Sequence, residues 1–374
     1  MDDHMTSAPA RLAKLGCAPF LDHLDRGLIE SGGLRRLITD DRLSGVTTNP
    51  VIFGKAITEG REYDADLGRM TAAGTRGDEL FLRLMVDDVR AAADEFAPLY
   101  RQSNRRLGYV SLEVLPELAR DVPGTVSMAH DLWARVGRPN VLIKVPATPE
   151  GIVAVEELIA SGVNVNVTTI FSAQTYEQVF WAYVRGQERR GTPDAASVAS
   201  VFVARIDAVV DSAIEAGVSA GRLDRSWLDV LGAAALASVR MIYERYRHLY
   251  ALPETRRIVE RGAMPQRLLW ASTQSRNPAY RDVKYVEGVA LPDTLVTMPL
   301  ATLDAFRDHG VVDPALPTGT ESAERIWTRL REIGVTPEAV ADALLETVLG
   351  VFSQAIVDLR RVVVAKAAEA SVGA

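Results

Sequence analysis

A lysine sits inside an apolar run, VLIKVPAT (141–148), where Val141, Ile143 and Val145 alternate with Leu142 and Lys144. A two-residue period puts the ammonium on the face opposite three β-branched side chains, so one face packs and the other presents an amine. The stretch GVNVNVTTIFS (162–172) alternates in the same way, with Val163, Val165 and Val167 on one side and Asn164, Asn166 and Thr168 on the other. Other short apolar runs end on polar groups too: Asp22 closes 17–21, Asn49 follows GVTT, and Glu113 shares a face with Tyr109 and Ser111. A buried lysine with carboxylates nearby, no metal-ligand spacing and no cofactor motif suits amine catalysis. Burial favours the neutral amine, which attacks a carbonyl to form a Schiff base. The iminium is an electron sink, so an adjacent carbon-carbon bond can break while carboxylates move the protons.

Each residue also has a plainer reading. A strand-end aspartate caps helices or shapes turns, and Asn49 before Pro50 can do the same. Lys144 can snorkel, or form a structural ion pair with Glu113. Their coincidence at the ends of five consecutive strands is what favours chemistry, because the carboxyl ends of barrel strands build active sites.

The elements that must position them follow from the same patterns. Thr148, Pro149 and Glu150 supply a capping hydroxyl, a first-turn proline and a carboxylate at the positive end of a helix. Ile152, Val155, Leu158 and Ile159 follow at helical spacing before Gly162, so residues 140–172 read as a parallel strand-helix-strand unit. Further strands are expected at 17–22, 45–50, 109–114, 198–203, 268–271 and 295–298. Helices are expected through Leu28, Leu34 and Leu37, at 79–96, around 126–136, over 205–250, and in a tail interrupted only by Gly350. Eight strands separated by helices, without linker or repeat, predict an α/β fold: one (β/α)8 TIM barrel over residues 1–374, with additional helices. Residues 1–15 form an N-terminal extension, frayed or helical, and 337–371 a long C-terminal helical segment. A doubly wound open sheet is the runner-up, but no GxGxxG or Walker turn is present.

Composition bounds the class. The 374 residues are 48% hydrophobic with net charge -7, which fits a soluble globular protein and excludes a basic nucleic-acid binder. The start lacks the regions of a secretory signal, and no uninterrupted apolar run reaches the roughly 20 residues that span a bilayer, so a cytoplasmic location and no membrane partner are expected. One cysteine, Cys17, excludes an internal disulfide, and the five histidines show no metal spacing, so neither metal nor cofactor is expected.

At these residues the chain resembles the transaldolase family. The motifs are GVTTNPVIFGKAI (45–57), VSLEV (110–114), VLIKVPAT, GVNVNVTTIFS, SVFVARID (200–207), WASTQSRNP (270–278) and DTLVTMPLATLDAFRDHG (293–310), in family order over most of the chain. The length and C-terminal helix look most like the longer bacterial branch. The resemblance implies transfer of a dihydroxyacetone unit from sedoheptulose 7-phosphate to glyceraldehyde 3-phosphate, giving erythrose 4-phosphate and fructose 6-phosphate in the pentose phosphate pathway. Lys144 would be the Schiff-base nucleophile, and Asp22 would exchange the proton of the C4 hydroxyl. Glu113 would act through a water held by Thr168. Asn49 and Asn166 would hold the dihydroxyacetone hydroxyls, while Arg205, with Ser200, and Arg276 would bind phosphate. The plainer reading of Arg205 is a helix-start ion pair with Asp207 or a nearby acid.

Departures from the family pattern are Phe20, Leu115, Ala204, Gln274, Arg276 and Val296, and Asp25 rivals Asp22 as acid-base residue. They leave open a specialised transaldolase or a fructose 6-phosphate aldolase with another donor or acceptor. Glu113 favours transfer, since the simple aldolases generally place a tyrosine near that role. A non-catalytic sugar-phosphate-binding barrel is the third reading. Partners are small sugar phosphates, and related proteins occur as monomers and homodimers.

Overall fold

The computed structural model describes residues 7–313 and 319–372. Eight parallel strands close into a barrel in chain order: β1 (Cys17–Asp22), β2 (Gly45–Thr47), β3 (Tyr109–Glu113), β4 (Val141–Pro146), β5 (Val165–Ile170), β6 (Ser197–Phe202), β7 (Arg267–Ala271) and β8 (Thr294–Met298), which pairs back onto β1. Helices connect them and form the outer layer. The chain is the (β/α)8 barrel that the strand spacing predicts.

Alternation sorts the strand side chains. Outward positions such as Val141, Ile143, Val145, Val165 and Val167 join the large core between barrel and helices. Inward positions make a separate small cluster that includes Phe20, Leu142, Val198, Leu269 and Leu295. This apolar layer fills the lower barrel, and the polar strand ends stand above it. Gly45 is the inward residue of β2, where a methyl group would lie 2.4 Å from the Phe20 ring and 2.5 Å from the Tyr109 carbonyl. Only glycine leaves room for the Phe20 ring there.

Caps fix where helices leave the strands. Thr148 Oγ1 accepts from Gly151 N at 2.8 Å to start the helix Pro149–Ser161, and Gly162 closes it with φ 92°. The amide of Asn164 holds the amino ends of three strands together, donating to the Pro139 and Val141 carbonyls at 2.9 and 3.1 Å and accepting from Ala196 N at 2.8 Å. Asn164 and Val163 therefore precede β5 rather than open it.

Three helical expectations change. The helix through Leu28, Leu34 and Leu37 is two helices, Arg26–Glu30 and Gly33–Asp40, broken at the left-handed Gly32. The region 205–250 is divided into Ala204–Ser219, a short 3-10 helix Arg225–Val230 and Ala234–Ala251, because Gly221 turns the chain with φ 68° and Asp224 caps a new start. Conversely, Gly350 interrupts nothing: Pro337–Val372 is one continuous helix. Glycine in an exposed helix interior costs about 1 kcal/mol relative to alanine, which packing elsewhere on the helix outweighs.

By length and composition, Pro337–Glu369 is apolar enough to cross a membrane. Its apolar stripe of Leu344, Val348, Ile356, Leu359 and Val363 is buried within the protein core, and the helix lies against Pro50–Glu59 and Asp64–Ala72. Lys366 pins the far end by donating to the Gly60 carbonyl at 2.6 Å and to Asp64 at 2.9 Å. Packing accounts for this stripe, while Val351, Val357 and Val364 of the same helix remain exposed.

Candidate active site

Strand register brings the polar residues together. Lys144 pairs laterally with Glu113 on β3 and Asn166 on β5, and Asp22 pairs with Thr47 on β2. Lys144 Nζ lies 3.0 Å from Glu113 Oε1 and donates to the Thr48 carbonyl at 2.5 Å. The Thr48 hydroxyl lies 2.8 Å from Glu113 Oε2 and 2.7 Å from the Ser111 carbonyl, so one residue braces both members of the pair. Lysine and glutamate are both buried. The ion pair weighed as the plainer reading of Lys144 is thus present, inside the barrel rather than on its surface.

Above this floor opens a cavity of about 670 Å³. Of the residues singled out from sequence, Asp22, Asn49, Lys144, Thr168, Ser200, Arg205 and Arg276 line it. Glu113 and Asn166 do not; they stand behind its wall. Asn166 is fully buried, donating to Ser111 Oγ at 3.0 Å and accepting from Ser200 Oγ at 2.6 Å.

Asp22 accepts from Thr47 Oγ1 at 2.8 Å, and that hydroxyl lies 2.7 Å from Thr297 Oγ1. Enclosure by protein raises the Asp22 pKa above the usual carboxylate range. The charge of Lys144 and the Thr47 hydrogen bond oppose that rise, while the Glu113 charge adds to it. Its rival Asp25 is spoken for: it accepts from Leu28 N at 2.6 Å as a helix cap and meets His23 Nε2 at 2.6 Å. Asn49 also has a capping role, its Oδ1 accepting from Val51 N and Ile52 N at 3.0 and 3.1 Å. Its side-chain amino group remains for the cavity.

Thr168 owes its place to a local irregularity. Thr169 has φ 61°, a costly conformation for a β-branched residue, and the β5–β6 register shifts between Val167 and Ile170. The Thr168 hydroxyl is buried at the cavity wall with no hydrogen-bond partner among the protein's described atoms.

The opposite wall carries Arg205, near the amino end of the helix Ala204–Ser219, and Arg276, in the loop after β7. Among the described residues neither has a hydrogen-bond or ion-pair partner, and Arg205 Nε is buried without one. Desolvation, then the charge of Arg276, lowers the Arg205 pKa to about 10, and desolvation lowers that of Arg276. The ion pair expected as the plainer reading of Arg205 does not form, because Asp207 is held instead by Tyr285 at 2.9 Å and Lys284 at 3.2 Å. Two uncompensated guanidinium groups suit an oxyanion such as phosphate.

Sequence reasoning did not single out Thr47, Thr48 and Thr297, although alternation puts Thr47 and Thr297 inward. Nor did it connect Val351 and Phe352 of the C-terminal helix to the cavity mouth, which they line. No short-range period links the tail to β1.

Comparison with known proteins agrees with the geometry. Residues 19–363 match the family model described as Transaldolase/Fructose-6-phosphate aldolase. The chain is 40% identical over 338 residues to a protein named Transaldolase from Thiobacillus denitrificans, covering 89% of this chain and 93% of that one. It is 38% identical over 345 residues to Transaldolase 2 from Nostoc sp., covering 89% and 91%, and 40% identical over 333 residues to a Transaldolase from Mycobacterium bovis, covering 87% and 88%. With a closed barrel, a lysine at the end of its fourth strand and near end-to-end similarity, the chain belongs to the transaldolase/fructose-6-phosphate aldolase family.

Proposed function

We propose that the protein is a transaldolase in which Lys144 forms a Schiff base with the ketose carbonyl of sedoheptulose 7-phosphate or fructose 6-phosphate. The observation that carries the reading is a buried Lys144–Glu113 pair in the floor of a cavity whose wall holds two guanidinium groups without counter-ions. The amine attacks C2, and the carbinolamine loses water once its oxygen is protonated. Glu113, at 3.0 Å, takes the ammonium proton, and a water on the Thr168 hydroxyl passes it to the leaving oxygen. Asp22 then removes the C4 hydroxyl proton. The C3–C4 bond breaks, its electrons enter the iminium, and an aldose phosphate departs.

The remaining enamine attacks the acceptor aldehyde at C3, Asp22 returns the proton to the new alkoxide, and hydrolysis frees Lys144. The amino group of Asn49 holds a dihydroxyacetone hydroxyl. Ser200 and Asn166 keep the adjoining wall in register, and Arg205 and Arg276 bind the phosphate. Sugar phosphates do not cross membranes unaided, so the cytoplasm is the fitting place for the reaction.

Borohydride added with fructose 6-phosphate should fix a reduced three-carbon unit on Lys144, read by peptide mass spectrometry. An active enzyme left unmodified at Lys144 sinks the mechanism. Supplying fructose 6-phosphate with and without erythrose 4-phosphate separates transfer from simple aldol cleavage: product should form only with the acceptor, whereas free dihydroxyacetone at a comparable rate identifies an aldolase.

A further inference from the structure

A second cavity, of about 690 Å³, opens at the other mouth of the barrel, against the amino ends of β3, β6 and β7. The apolar layer of Phe20, Leu142, Val198, Leu269 and Leu295 separates it from the site above. Its lining holds five arginines against two carboxylates, in a chain whose net charge is -7. Arg267, the inward residue at the start of β7, is the deepest of them. It donates to the Arg106 carbonyl, and among the described residues no carboxylate lies within ion-pair distance of it. Desolvation lowers its pKa and the Arg106 charge adds to that, while Asp293 on the rim is among the groups opposing it. Arg105, Arg106 and Arg256 line the space from its exposed rim. Arg247 has an ordinary explanation, since it pairs with Glu244 one turn earlier. Arg105, Arg106 and Arg256 are exposed and solvated, which leaves Arg267 as the partly buried guanidinium without a carboxylate among the described residues.

Apart from Ser197, the rest of the lining is apolar and aromatic. The hydroxyl of Tyr109 donates to the Arg105 carbonyl at 2.7 Å and that of Tyr250 accepts from Gln266 N at 2.6 Å, so these residues offer the cavity their rings. Backbone strain also gathers here. Among the described residues six non-glycines have positive φ; two of them, Arg105 and Asp293, line this cavity, and one other, Ser272, lines the upper one. Strain of this kind persists where the surroundings fix a geometry that function uses.

We infer that this lower cavity binds a small organic phosphate with a planar, apolar body, its phosphate on Arg267 and Arg106 and its body against the tyrosines. Guanidinium groups take phosphate in bidentate fashion, and a cavity of this volume is in the range of small-molecule sites. A nucleoside monophosphate has both parts, and the inference does not depend on the reaction proposed above.

Titration calorimetry with AMP, adenosine and inorganic phosphate tests it on the whole protein. AMP should bind saturably, with adenosine and phosphate each at least tenfold weaker. Arg267→Met should weaken AMP at least tenfold and Arg106→Ser severalfold, with transaldolase turnover unchanged, while Arg205→Ala leaves AMP affinity as it was. Should Arg267→Met fail to fold, the exposed Arg106→Ser variant decides. Undetectable AMP binding, affinity untouched by the lower-cavity variants, affinity lost in Arg205→Ala, or phosphate binding as tightly as AMP would each overturn the inference.

Discussion

Lys144 and the Arg205–Arg276 pair are cations of one cavity held in opposite ways. Lys144 has a carboxylate at 3.0 Å and a carbonyl at 2.5 Å, whereas the arginines have no hydrogen-bond or ion-pair partner among the described residues. A structural account treats Lys144 and the half-buried Arg205 alike, since enclosing a charge unpaired is costly and a fold selected for stability alone would neutralise both, whereas the exposed Arg276 is solvated. A chemical account separates them. The lysine must give up its proton, so an acceptor stands beside it; the arginines must keep theirs and meet a dianion that arrives with the substrate. Arg205, though lowered to about 10, remains a cation at neutral pH. On the proposed reading, the floor of the cavity serves bond making and its wall serves capture.

Removing the floor's amine is the strongest way to test that division. Lys144→Met should lower kcat by about 10⁴-fold or more, the scale expected when a covalent nucleophile is lost, and abolish borohydride trapping. Phosphate binding at the wall, followed by calorimetry, should persist. If the variant lost phosphate affinity as well, floor and wall would not be separate devices.

Asp22→Asn comes next, with kcat down roughly 10²–10⁴-fold, the range of a general acid-base group. It also makes a stability test. The folded-state pKa of Asp22 is raised, so the native protein holds this proton more tightly than the unfolded chain. Its contribution therefore favours folding at low pH, falls as pH rises from the unfolded value to the raised one, and is a constant deficit beyond. The variant should be more stable than wild type above that window and equal to it below, measured by urea denaturation across pH. Wild-type kcat should decline as pH falls through the same window. A variant that is less stable at neutral pH would show that Asp22 serves the fold.

Arg205→Ala should act on KM: about 10–100-fold higher for phosphorylated donors, from the loss of charge-assisted hydrogen bonds, with little change for unphosphorylated ketoses. Removing a half-buried cation whose Nε has no partner should also leave the apo protein no less stable. Arg276→Ala, from a loop rather than a helix start, should give the same pattern more weakly.

How much of this was legible in the sequence follows from the range of each signal. The two-residue period placed Lys144, Glu113, Asn166 and Asp22 on inward faces, because a strand's side chains can only alternate. Register then set the neighbours, and register is a property of the whole barrel: nothing around Glu113 announces that Lys144 is its lateral partner. The bulge at Thr169 was not readable, since a β-branched residue in the left-handed region contradicts its own preference and holds only in the finished fold. Helix breaks at Gly32 and Gly221 lay in patterns that stayed periodic across them. Asn49 shows two readings that need not compete, as one amide oxygen caps a helix while the amino group stays free.

The smallest expected effect concerns the roof. Val351 and Phe352 bring an uncharged edge of the C-terminal helix to the cavity mouth, and Gly350 precedes them in that helix. A methyl group at Gly350 would meet no atom within 4 Å, so Gly350→Ala adds no clash. It reduces the freedom of the unfolded chain and favours the helix, which should raise stability by about 1 kcal/mol in thermal or urea denaturation. If the roof only covers the site, kcat and both KM values stay at wild type. A fall in kcat with stability raised would mean that the helix must move for product to leave, adding a gate to a cavity otherwise divided between a reacting floor and a binding wall.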